Sequence, residues 1–84
     1  MEILYKPTFI RQLNKLDKDL QNEVFEKIEI FKNKDNHLSL KVHKLHGELK
    51  DFYSFSVNYK IRIVFIWKDD EIILVSIGDH DLYK

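Results

Sequence analysis

Between Phe52 and Ile77 the chain carries three apolar runs in close succession, FYSFSV, IRIVFIW and IILVSI. The first two alternate with a period of two. Tyr53, Phe55 and Val57 fall on one face of an extended chain, and Phe52, Ser54 and Ser56 on the other. Ile61, Ile63, Phe65 and Trp67 likewise oppose Arg62, Val64 and Ile66. The third run is apolar on both faces, which does not suit a solvated edge. The spacers Asn58-Tyr59-Lys60 and "KDDE" are short enough for hairpins. Three antiparallel strands with a wholly apolar face need something laid across that face, and the N-terminal half must supply it.

There, Ile3 and Tyr5 mark a short strand that Pro7 closes. Thr8 is placed to cap a first helix carrying Phe9, Ile10, Leu13 and Leu16, and Asp17 or Asp19 to cap a second, from about Leu20 to Phe31, with Leu20, Val24, Ile28 and Phe31 on one stripe. The turn formers of "NKDNH" end it, and a polar connection runs to Gly47. The expected fold class is α+β, in the order β-α-α-β-β-β: an antiparallel sheet with a two-helix hairpin on one face, forming one domain over residues 1–84.

Composition narrows the function classes. With no cysteine, neither disulfides nor thiolate metal sites are possible, and nothing points to an oxidising compartment. "MEILYKPTF" lacks a signal-peptide core and no run reaches membrane-spanning length, so the expectation is a cytoplasmic protein without membrane contact. Basic and acidic residues balance at 14 each, which removes any global electrostatic case for nucleic-acid binding. Their distribution is uneven. Lys32, Lys34, Lys41, Lys44 and Lys50 meet only Asp35 and Glu48 in their stretch, which can attract phosphate, whereas Asp69, Asp70, Glu71, Asp79 and Asp81 have no lysine or arginine among them. The chain has two glycines and no phosphate-cradling loop or nucleophile elbow. His43, His46, His80 and Asp81 are suitable zinc ligands by type, but no H-E-x-x-H pattern organises them, and no metal or other cofactor is expected.

The second face of the sheet is chemically richer. A three-residue loop at 58–60 sets Ser56 opposite Arg62, and a similar register in the next hairpin sets Ser76 near Val64. An antiparallel third strand then brings Gly78 and His80 back toward Arg62.

The order of elements, the segment "HKLHGELKDFYSFSV…YKIRIVF" and the ending "IGDHDLY" resemble the RelE/ParE superfamily of bacterial and archaeal toxins. "H-x-L-x-G" at His43 to Gly47 and "G-x-H" at Gly78 to His80 are most similar to the YafQ-like mRNA interferase branch. The resemblance implies the toxin of a type II toxin-antitoxin system, a ribosome-dependent endoribonuclease that cleaves mRNA and inhibits translation. The alternative is a ParE-like DNA gyrase inhibitor or a catalytically degenerate binding member of the same fold. Ser54 and Ser56 stand where RelE-like enzymes usually carry two lysines.

Cutting RNA without a metal requires a base for the 2′-hydroxyl, an acid for the leaving 5′-oxygen and positive charge for the crowded phosphate. Imidazoles serve the first two roles near neutral pH. The expected catalytic set is His80 as the leading acid/base, His43 as the second, Arg62 as the phosphate stabiliser and Tyr83 as a stacking or proton-donating group. Lys41, Lys44, His46 and Lys50 are expected to contact RNA, and a cognate antitoxin to cover Phe52, Val64, Ile66, Ile72 and Leu74.

Overall fold

A computed structural model describes residues 2–47 and 51–79. The elements are β1 (Glu2–Tyr5), α1 (Pro7–Asn14), α2 (Lys18–Phe31), a 3₁₀ turn (Lys34–Asn36), β2 (His43–Lys44), β3 (Tyr53–Ser56), β4 (Arg62–Lys68) and β5 (Glu71–Gly78). The strands form one sheet in the order β1-β5-β4-β3-β2. This is the α+β arrangement expected, with two differences. The connection before Gly47 contains the extra strand β2, too short to leave a periodic signal. β1 pairs with β5 in parallel, Glu2 beside Glu71 and Tyr5 beside Leu74. Alternation is the same in either direction, so it could not specify this. Adding β1 covers the second edge of β5, the strand too apolar to be left open.

Pro7 opens α1 from its first turn, where its missing N–H costs nothing, and no side chain caps that helix. The cap expected from Thr8 does not form, because Thr8 already lies within the helix. Asp17 caps α2, accepting from the Leu20 N–H at 2.8 Å, and so settles the alternative with Asp19. The helices bury Phe9, Leu13, Val24, Ile28 and Phe31 in one core with Phe55, Ile63, Phe65, Ile72, Leu74 and Ile77 of the sheet. Phe31 stacks on Phe55 at 4.3 Å between centroids and meets the edge of Phe65 at 5.0 Å. His37 lies along the same aromatic group, stacked on Phe31 at 4.7 Å, with its Nε2–H donating to the Phe31 carbonyl at 2.9 Å.

Three hairpin pairings follow the sequence expectation: Ser56 faces Arg62, Val64 faces Ser76, and Arg62 faces Gly78. A bulge then interrupts the β4–β5 ladder, so that Phe65 pairs with Leu74 and leaves Val75 as the extra residue. The shift turns Ile72 and Leu74 toward the helices, where both are fully buried. The expectation that these two share the open face is therefore corrected: Ile73, paired with Ile66, takes that position. Val64 is on the open face by register yet only 5% exposed, whereas Phe52 and Ile66 are half-buried. β1 ends beside Leu74, and the edge of β5 beyond it is completed by a side chain: the Ile77 N–H donates to Gln12 Oε1 at 2.8 Å.

Candidate active site

β2 brings His43 to the open face. His43 pairs with Ser54, Ser54 with Val64, and Val64 with Ser76, a row that crosses four strands away from the helices. The next row is Ser56, Arg62 and Gly78. Arg62 opens β4, and its Nη2 comes within 3.5 Å of His43 Nδ1. A residue long expected at this end of the sheet thus meets one from a segment expected to be a loop.

The imidazole is oriented from two sides. Lys41 has a left-handed backbone, φ 57°, unusual for a side chain of its kind. Its carbonyl lies 3.0 Å from His43 Nδ1. This contact is shorter than the one to Arg62, so we assign the proton to Nδ1, which donates to the Lys41 carbonyl. Nε2 then carries the lone pair, and the Ser54 hydroxyl is placed to donate to it at 3.4 Å. Ser54 is fully buried, so its hydroxyl is held in place while the exposed ring of His43 stays accessible.

Arg62 is half-buried, and its Nε is shielded from solvent without a hydrogen-bond partner among the described residues. A buried guanidinium N–H normally finds an acceptor. A planar fork of this kind suits an oxyanion such as phosphate. The acids divide between the two ends of the sheet: Asp79 follows Gly78, the partner of Arg62, at the near end. Asp69, Asp70 and Glu71 lie at the far end of β4, about 20 Å from Arg62 at the usual rise per strand residue. Lys60, exposed in the β3–β4 turn, lies at the near end.

Of the residues expected to contact RNA, Lys41, Lys44 and His46 are exposed. Strand alternation places Lys44, paired with Tyr53, on the opposite face from His43. Gly47 has φ 70°, which accounts for the glycine of the "H-x-L-x-G" motif. His80, Tyr83 and Lys50 lie outside the described residues. The sequence marks Ser54 and Ser56 as missing lysines, and Ser56 as the residue opposite Arg62. The role of Ser54 beside His43 went unseen because β2 gave no signal, although a serine within an otherwise aromatic strand was itself a cue. Among the described residues no three His, Cys, Asp or Glu side chains gather as metal ligands.

Neither a protein-family model nor a curated protein matches the sequence significantly. Solved structures do. The conserved hypothetical protein HP0894 from Helicobacter pylori superposes with a TM-score of 0.74 at 27% identity over 96% of each chain. YafQ from E. coli gives 0.76 at 17% identity over 99% of this chain and 98% of its own. YoeB in its complex with YefM from Staphylococcus aureus gives 0.74 at 20% identity over 95% and 97%. This chain has the RelE-like toxin fold. That fold places β2, β3 and β4 side by side, and in this chain they carry His43, Ser54 and Arg62 across a single open face.

Proposed function

We propose that the protein is the toxin of a toxin-antitoxin pair and acts as an endoribonuclease that cleaves mRNA on the ribosome. The observation that carries this reading is the pairing of an oriented imidazole with a guanidinium whose Nε is buried and unpartnered, 3.5 Å apart on an open sheet face. Once the Ser54 hydroxyl turns away from it, His43 Nε2 takes the proton of an RNA 2′-hydroxyl, and the 2′-oxygen attacks the adjacent phosphorus. Arg62 holds the phosphate oxygens as charge builds on them. The P–O5′ bond then breaks and the leaving oxygen receives a proton, giving a 2′,3′-cyclic phosphate and a 5′-hydroxyl. His80, two residues beyond Gly78 in sequence, is assigned the complementary acid/base role, and Tyr83 a stacking one. Lys41 and His46 add positive donors around the RNA. A cognate antitoxin is the natural partner, since YoeB was solved with YefM and the RelBE2 pair of Mycobacterium tuberculosis as a complex. The site of action is the cytoplasm, where ribosomes are.

Purified, partner-free protein added to a reconstituted translation system should arrest synthesis and leave mRNA fragments ending in 2′,3′-cyclic phosphate. Intact message together with trapped gyrase–DNA cleavage complexes would replace this reading with the gyrase-inhibitor alternative.

A further inference from the structure

Tyr59 is fully exposed, an unusual position for a large aromatic ring in so small a domain. It sits at the tip of the β3–β4 turn, and that turn is not loose. Asn58 Oδ1 accepts from the N–H groups of Lys60 at 2.8 Å and Ile61 at 2.7 Å, while its Nδ2 donates to Glu23 Oε1 on α2 at 2.9 Å. The Val57 N–H donates to the Ile61 carbonyl at 2.8 Å and closes the base of the turn. One asparagine side chain thus fixes the backbone on both sides of Tyr59 and ties the turn to a helix, while the tyrosine ring itself contacts solvent. Ser56 and Arg62 are the strand pair nearest the foot of the turn.

We propose that Tyr59 is a base-stacking platform for single-stranded RNA, positioning the nucleotide next to the phosphate held by Arg62. Tyr59 and Arg62 are three positions apart, a span of at most about 10 Å, which single-stranded RNA covers within a few nucleotides. In-line attack by a 2′-hydroxyl needs the strand splayed out of helical stacking, and an unstacked base gains most from a rigid aromatic surface. Lys60, next in sequence and exposed, adds the backbone-tracking charge that such platforms carry, and Glu23 of α2 is engaged by Asn58. A rigid tip loses little conformational entropy when the base arrives.

This inference rests on the RNA-cleaving reading, and the test separates the two. Short 2′-O-methyl oligoribonucleotides, which bind but cannot be cut, are made with 2-aminopurine at successive positions and titrated with wild type, Tyr59→Ala, Tyr59→Phe and Arg62→Ala. Stacking quenches the probe at one position in the wild type. Tyr59→Ala should bind about tenfold more weakly and lose the quenching, Tyr59→Phe should keep both, and Arg62→Ala should weaken binding yet quench at saturation. Equal affinity and quenching for Tyr59→Ala would overturn the proposal, as would a wild type that binds no oligonucleotide. So would a Tyr59→Ala protein that loses only antitoxin binding, which would give the ring to the protein partner. Tyr59-dependent quenching in a protein that leaves cleavable message intact on ribosomes supports the platform and removes the nuclease reading alone.

Discussion

At the scale of single residues, the site depends on two side chains with different tolerances. His43 is exposed and contributes little packing, so His43→Ala should leave the urea midpoint nearly unchanged while lowering the cleavage rate by about a hundredfold, the usual contribution of one acid/base group. Arg62 tests geometry as well as charge. Arg62→Lys retains the positive charge but lacks the planar fork, and its stem cannot present donors where both Nη2 and the buried Nε now lie. Its activity should stay close to that of Arg62→Ala. Near-wild-type cleavage by Arg62→Lys, measured on the same programmed ribosomes, would show that a point charge suffices. Arg62 was legible in the sequence as a charged residue inside an apolar strand, which needs a reason to be there. His43 was legible as a chemical group, but not its placement, which depends on a two-residue strand and on the left-handed turn at Lys41.

At the scale of elements, alternation and hairpin spacing specified which residues of β3 and β4 share a face, and Ser56 opposite Arg62 followed from counting alone. In the half of β5 from Glu71 to Leu74 alternation misleads, because a bulge inserts one residue and every side chain beyond it changes face. This shift decides how the antitoxin surface can be probed. Val64→Asp would place an unpaired carboxylate at a nearly buried position and unfold the sheet, so loss of binding there would carry no information. Ile66 is half-buried on the same face, and Ile66→Asp should keep its circular dichroism spectrum while weakening antitoxin capture at least tenfold if the partner lies across this face. Full-strength capture would place the antitoxin elsewhere. The same element offers a second measurement. Gln12→Ala removes the acceptor for the Ile77 N–H, leaving a buried donor unpaired at a cost of about 1–3 kcal/mol. Hydrogen exchange at the Ile77 amide should accelerate accordingly, and unchanged protection would mean that another acceptor replaces Gln12.

For the whole molecule, size governs how far any substitution reaches. The stability of a single domain is typically about 5–15 kcal/mol, and a small one has little surplus. Within its core an aromatic group joins both halves of the chain: Phe31 at the end of α2 stacks on Phe55 of β3 and touches Phe65 of β4, and His37 stacks on it in turn. Phe31→Ala removes the ring common to these contacts and should cost about 3–5 kcal/mol, a large share of the total. Each kcal/mol lost lowers the melting temperature of a domain this size by about 4–8 °C. Phe25, on the same helix, is 48% exposed and outside this core, so Phe25→Ala should shift the midpoint by less than about 0.5 kcal/mol. Comparable losses for the two variants in urea denaturation would contradict the core described here. His43, Ser54 and Arg62 lie on the face of the sheet away from this core, so the variants also separate folding from chemistry. Well below its melting temperature, Phe31→Ala should cleave RNA at nearly the wild-type rate per folded molecule, and its activity should collapse on warming in step with its circular dichroism signal. A Phe31→Ala protein that stays folded but inactive would show that the aromatic core also sets the geometry of the open face, through the strands β3 and β4 that carry both.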